Sequence, residues 1–162
     1  LLAVLALQGR PTPGLGGQPR SPACPPAPPF TLLDLDGHSR SLTEFLGTRP
    51  ILLEFMSTNC PHCTKAAPVL RALHAEYGER VQFLTVVFEG GGRTDRVRAF
   101  AQRHQHPWPY LLGTDGVVQA YRLEGVPTFC ILSRTGGVCG MRVGTAPAEV
   151  FRKGLEMVLP SE

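Results

Sequence analysis

The chain alternates between short, nearly continuous apolar runs and longer stretches in which apolar residues recur every three or four positions. Ile51–Met56, interrupted only by Glu54, and Val81–Phe88 have the length and composition of strands covered on both faces. After the first run, Ala66, Val69, Leu70, Leu73 and Tyr77 fall at helical spacing, and Gly78 is a natural stop. Val97, Phe100 and Ala101 mark a second helix that Thr94 is placed to cap. Tyr110–Leu112 reads as a short strand and Gly116–Tyr121 as a short helix. Thr128–Leu132 and Val138–Val143 form a hairpin across Ser133-Arg134-Thr135-Gly136. A last helix is expected from Thr145, with Val150, Phe151, Leu155 and Val158 facing inward. Ahead of all this, Phe30–Gly37 reads as a short strand entering an Asp-Gly turn, with a second short segment behind it. Strand–helix alternation closed by a hairpin and a helix predicts an α/β domain: a central mixed β-sheet flanked by helices on both faces, spanning 30–162.

The segment before that domain has a different character. Gln8–Pro29 holds half of the chain's 16 prolines and much glycine. Such a stretch buries too little apolar surface to offset its ordering entropy, so it is expected to act as a tether. Leu1–Leu7 is wholly apolar but far shorter than the roughly 20 residues a spanning helix needs. It reads as the tail of a signal peptide or membrane anchor whose beginning lies outside the chain, which makes 1–29 an export remnant and tether.

With 162 residues, 43% of them apolar and 18% charged, the chain is sized for one globular domain. A net charge of +3 with no basic run gives no electrostatic case for nucleic acid. Arg93, Arg96, Arg98 and Arg103 read as the solvated face of a helix.

The chemistry concentrates in Cys60-Pro61-His62-Cys63, which follows one buried strand and opens the next helix. A helix N-terminus presents unpaired N–H groups and a positive dipole end, which stabilise a thiolate at its first cysteine. Pro61 suits the first turn because its missing N–H would have no partner there. A spacing of three brings Cys63 round to the side of Cys60, within reach of a small disulfide ring. Protonated His62 would add a second favourable charge for the Cys60 thiolate and make the disulfide more oxidising. A zinc site needs two further ligands, and no second pair lies at suitable spacing; a purely structural disulfide is the other alternative. His38, His74, His104 and His106 have no metal-site spacing, and His106-Pro107-Trp108-Pro109 reads as a rigid turn in which Trp108 packs. No cofactor is required by this reading.

These motifs, in order, resemble the membrane-tethered or periplasmic thioredoxin-like proteins of the TlpA/ResA type. The matching text is Phe30-Thr31-Leu32, Asp36-Gly37, Ser41-Leu42, Ile51-Leu52-Leu53-Glu54-Phe55, Cys60-Pro61-His62-Cys63, Pro68 and Val126-Pro127-Thr128. The resemblance implies a thioredoxin-like fold and an extracytoplasmic oxidoreductase, in the periplasm or cell envelope. Its partners would be protein dithiols or disulfides and an upstream redox protein. It implies that Pro127 is a cis-proline lying against the cysteine pair, with Val126–Thr128 receiving an extended substrate. Pro68 would kink the active-site helix. Glu54, six residues before Cys60, matches a buried acid; a carboxyl in an apolar strand holds its proton to higher pH and could exchange it with Cys63 through water. The alternative for Glu54 is a solvent-facing position at a strand edge. The family usually places Trp before the first cysteine, where this chain has Asn59.

Two rival functions follow from the same residues. A thiol peroxidase shares the Phe30–Gly37 opening and a hydroxylated residue three before the reactive cysteine, here Ser57, but Cys63 and Val126-Pro127-Thr128 argue against it. A non-enzymatic module would use the fold for binding alone. Of the other cysteines, Cys24 is expected as a free or intermolecular thiol. Cys130 and Cys139 are expected as buried small hydrophobes on the hairpin arms, with a cross-strand disulfide as the alternative.

Overall fold

The computed structural model describes residues 24–89 and 92–160. Its strands are β1 (Thr31–Leu33), β2 (Ser39–Ser41), β3 (Ile51–Met56), β4 (Gln82–Val87), β5 (Tyr110–Leu112), β6 (Thr128–Leu132) and β7 (Val138–Val143). Its α-helices are α1 (Pro61–Tyr77), α2 (Thr94–His104), α3 (Asp115–Ala120) and α4 (Ala148–Glu156). β1 and β2 make a small antiparallel hairpin, and the remaining strands form one five-stranded sheet in the order β5-β4-β3-β6-β7. β3, β4 and β5 run parallel, while β6 and β7 are antiparallel, so the sheet is mixed as the alternation predicts.

β3 lies at the centre, and all six of its residues are buried. Alternation along a strand sends Leu52 and Met56 into a cluster with residues of α1, α2 and α4 on one face. Ile51, Leu53 and Phe55 enter a second cluster with Val117 of α3 and with Phe30, Leu32 and Leu42 around the small hairpin. Each such side chain contributes about 1.5–3 kcal/mol on burial, so the strand leading to Cys60 is firmly seated. Gly78 ends α1 in an ordinary helical conformation; a Cβ there would meet the His74 carbonyl oxygen at 2.6 Å, which is why no side chain fits.

Two helix starts differ from expectation. α4 begins at Ala148 with Pro147 at its cap, not at Thr145, because the residue before a proline is pushed out of helical conformation. Phe151 and Leu155, one turn apart, then face the core while Val150 is 41% exposed, and Val158 lies beyond the helix. In α2, Thr94 is the first helical residue, and Arg93 occupies the cap position without a side-chain cap bond.

The larger correction concerns the cysteines. Cys24 is not a free or intermolecular thiol: it forms a disulfide with Cys139. In the β6–β7 ladder Ile131 faces Gly140 and Leu132 faces Val138, so Cys139 is the extra residue of a β-bulge. That slip removes Cys139 from register with Cys130, which stays buried and free. Around the disulfide, Pro26 bridges Gly137, Val138 N–H donates to Pro25 O at 2.7 Å and Ala27 N–H to Gly136 O at 2.8 Å. Gly137 permits this approach, since a Cβ there would lie 2.7 Å from the Cys24 carbonyl oxygen. Tyr121 adds a hydroxyl bond to Pro28 O. Packing onto the domain therefore begins by Cys24, ahead of Phe30; Leu1–Leu7 and most of the expected tether lie outside the described residues. No helix among the described residues is long and apolar enough to cross a membrane.

A disulfide spanning 115 residues constrains the unfolded chain strongly. Cys139→Ser should lower the unfolding free energy by about 2–4 kcal/mol, and adding Cys24→Ser should cost nothing more. Urea titrations without reductant that found all three proteins equally stable would refute the pairing.

Candidate active site

The site forms where β3 ends and α1 begins. Cys60 is the N-cap of α1, with extended backbone (φ −88°, ψ 115°), and Pro61 is the first helical residue. The Cys63 N–H donates to Cys60 Sγ at 3.1 Å, so the sulfur receives one of the N–H groups that a helix start leaves without a backbone partner. Cys60 is half-buried, Cys63 is buried, and Pro61 and His62 are exposed.

Val126-Pro127 is a cis peptide bond, and the Val126 carbonyl oxygen lies 3.4 Å from Cys60 Sγ, where it accepts from the thiol. The structure thus brings residue 126 to residue 60. Thr128, fully buried at the start of β6, pairs with Phe55 of β3 and donates its hydroxyl to Gly125 O at 2.6 Å. These bonds hold the loop that carries Val126 against the end of the strand that carries Cys60.

Glu54 is buried, 3% exposed in the central strand, and does not sit at a solvent edge. Thr85 of β4 donates its hydroxyl to Glu54 Oε2 at 3.1 Å. Burial pushes the carboxyl up to about 8, opposed by that hydrogen bond. Burial first, then the hydrogen bond with Cys60, holds the Cys63 thiol far above its ordinary range, and the charge of Glu54 acts in the same direction. The two sulfurs are therefore unequal: one accessible at a helix start, the other enclosed beside an acid that keeps its proton near neutrality.

Several contributors carried no signal in the sequence. Glu89, just after β4, accepts both the Thr58 N–H, at 2.7 Å, and the Thr58 hydroxyl, pinning the turn before Cys60. Arg96 of α2 donates to Asn59 Oδ1 at 2.8 Å, so one arginine of the expected solvated face reaches the residue adjoining Cys60. Trp108 is buried as expected, but its indole also donates to Thr85 Oγ1 at 2.9 Å. Among the described residues, Asp34, Asp36 and His38 bring potential metal-ligand atoms within 4.8 Å of one another. Asp34 Oδ1, however, accepts the Asp36 and His38 N–H groups as a turn cap, and Asp36 pairs with Arg98, so the group is explained without an ion.

Known proteins share this arrangement of elements. The model of the AhpC/TSA family matches residues 25–139. The thioredoxin-like protein YneN of Bacillus subtilis (strain 168) is 30% identical over 132 residues, 81% of this chain and 77% of that protein. The thiol-disulfide oxidoreductase ResA of Geobacillus kaustophilus (strain HTA426) is 29% identical over 135 residues, 83% of this chain and 76% of that one. A thiol:disulfide interchange protein of the thioredoxin family from Chlorobium tepidum TLS superposes with a TM-score of 0.72 at 20% identity, covering 85% of this chain and 98% of that chain. The fold is thioredoxin-like.

The buried acid has a consequence for stability. Below the ordinary glutamate value of 4.5, folded and unfolded chains both carry the proton. Between there and about 8 the unfolded chain releases it while the folded chain keeps it, so stability falls as pH rises. Above that the full cost of the buried charge remains. Glu54→Gln should remove this slope, gaining on the parent by up to about 1.4 kcal/mol per pH unit across the window. Denaturant titrations at pH 5 and pH 8 that gave the same difference between the two proteins would exclude a protonated Glu54.

Proposed function

The chain belongs to the AhpC/TSA family and is a thiol–disulfide oxidoreductase, and we propose that Cys60 and Cys63 are its working pair, exchanging a dithiol for a disulfide with protein substrates outside the cytoplasm. The observation that carries this reading is the Cys60 sulfur itself, set at the cap of α1 between the Cys63 N–H and the Val126 carbonyl. A donor N–H at a helix start favours the thiolate.

In the reducing direction, the Cys60 thiolate attacks one sulfur of a substrate disulfide. The Cys60–substrate bond forms, and the other substrate sulfur leaves as a thiolate that takes a proton from water. Cys63 then gives its proton to Glu54, directly or through water, and attacks Cys60. The Cys60–Cys63 bond closes as the Cys60–substrate bond breaks, and the second substrate sulfur leaves as a thiolate that takes a proton from water, while Glu54 returns its own to solvent. The pair has lost two electrons and the substrate has gained them; run backwards, the same steps oxidise a dithiol. Glu54 serves as the proton acceptor in its ionised form, because burial, by raising the carboxyl to about 8, makes that carboxylate a stronger base than an ordinary glutamate. The Val126–Thr128 backbone offers an extended substrate segment a place to lie beside Cys60. Exposed His62, two residues on, would add positive charge to this helix start when protonated.

The Cys24–Cys139 disulfide supports an oxidising location, because such bonds persist outside the cytoplasm. A periplasmic or cell-envelope enzyme, held by an N-terminal anchor and re-reduced or re-oxidised by an upstream partner, is the fuller reading. The peroxidase alternative draws on Ser57, whose hydroxyl accepts the Asn59 N–H at 3.3 Å and whose carbonyl oxygen accepts the Cys60 N–H at 3.1 Å.

Cys63→Ser should trap substrates as mixed disulfides on Cys60. On non-reducing gels these adducts should disappear when Cys60→Ser is added or reductant is applied. A Cys63→Ser protein that captured nothing from envelope extracts, while the parent pair cycled normally, would sink this mechanism.

A further inference from the structure

The proton acceptor of the proposed mechanism sits at the end of a chain of hydrogen bonds whose direction is set by chemistry. An indole nitrogen donates and cannot accept, whereas a hydroxyl has one proton to give and lone pairs to receive. Trp108 Nε1 donates to Thr85 Oγ1 at 2.9 Å, and Thr85 Oγ1 lies 3.1 Å from Glu54 Oε2. With its lone pair engaged by the indole, the Thr85 hydroxyl points its proton at Glu54. All three residues are buried, so no water competes for these bonds at their full strength.

We propose that Thr85 and Trp108 are positioning residues for the exchange reaction: a one-way donor chain, Trp108 to Thr85 to Glu54, that stabilises the Glu54 carboxylate and directs its proton to Oε1. This rests on the reading of Glu54 as the proton acceptor for Cys63. A fixed donor on Oε2 favours the charged carboxylate that burial opposes. When Glu54 is protonated, Oε2 remains the acceptor for Thr85, so the proton resides on Oε1.

The chain is held in place from behind. Pro107 and Pro109 bracket Trp108, and the Thr85 N–H donates to Pro109 O at 3.1 Å. His106 stacks on Trp108 with ring centroids 4.1 Å apart. Its Nε2 lies 2.9 Å from the Ala67 carbonyl oxygen, which only accepts, so Nε2 carries the hydrogen and Nδ1 accepts from the Tyr110 hydroxyl at 2.7 Å. Ala67 belongs to α1, the helix that carries Cys63, so the bracing and the sulfur share one element.

The groups facing Glu54 are few. Cys63 approaches from α1 and Tyr110 from β5, and each feels the Glu54 charge. His106, behind Tyr110, is pushed down to about 4 by burial and is neutral at working pH. On β6 the paired residue is Phe129, which brings no charge. Thr85 is thus the neighbour whose bond favours ionisation of the acid.

The test follows the Glu54 carboxyl carbon by NMR against pH, assigned with Glu54→Gln, in protein whose Cys60–Cys63 disulfide is closed so that Cys63 does not titrate. Thr85→Val keeps the β-branched shape and removes the donor; the midpoint should rise by about one pH unit, and the pH profile of the exchange rate should move the same way. Thr85→Ser restores the hydroxyl and should bring both back toward the parent. Trp108→Phe should shift the midpoint in the same direction by less. An unmoved midpoint in both Thr85→Val and Trp108→Phe overturns the donor chain, as does a Thr85→Ser protein that shifts as far as Thr85→Val. A midpoint that rises while the rate profile stays put supports the chain and instead removes Glu54 from the exchange mechanism.

Discussion

The site depends on the fixed position of the point where β3 ends. β3 is hydrogen-bonded to β4 on one side and β6 on the other, and side chains cover both of its faces. A strand constrained in all four directions cannot shift its end, so the residues that follow start from a defined place and heading. Cys60 becomes the cap of α1 there, and β6, pinned to the same strand, delivers Val126 to the opposite side of the sulfur. The geometry of the proposed site is therefore a property of sheet pairing more than of the four-residue motif.

That central position also creates the electrostatic problem on which the chemistry draws. A carboxyl in such a strand is shielded from bulk solvent, and burial raises the pH at which it ionises. The same burial suppresses ionisation of Cys63, while Cys60 sits half-exposed against backbone N–H. One low-dielectric pocket thus makes the two sulfurs and the acid differ, and a stepwise exchange needs that inequality: a first sulfur free to attack, a second that acts only after losing its proton. Thr85 and Trp108 are proposed to matter because they supply polar contacts beside a hydrophobic cluster that includes Leu52, Met56, Phe83 and Phe129.

The two classes of cysteine are separated by distance and by surroundings. Cys60 and Cys63 stand at a helix start, where the Cys63 N–H donates to the Cys60 sulfur. Cys24 and Cys139 close the N-terminal segment onto a bulged edge strand, and Cys130 lies in the opposite cluster from Cys63, where burial raises its thiol up to about 12. The structural disulfide and the pair proposed for exchange are therefore kept apart in the fold.

Much of this was legible in the chain itself. Apolar runs and helical spacing anticipated the five strands of the main sheet and the four α-helices, though not where the second and last helices start, because periodicity reflects which side chains must leave water. The Cys60–Cys63 spacing placed both sulfurs at one helix start, since that relation is local. What the chain could not disclose were relations between distant residues. The bulge at Cys139 depends on how β6 and β7 pair, and one extra residue there turned an expected buried thiol into the partner of Cys24. Thr85, Trp108, Glu89 and Arg96 are brought to the site only by the parallel pairing of β4 with β3 and β5 and by the packing of α2. Local sequence determines which elements form and where a motif sits on them, whereas the environment that gives a thiol or a carboxyl its chemistry is assembled from segments far apart in the chain, and only the folded arrangement decides it.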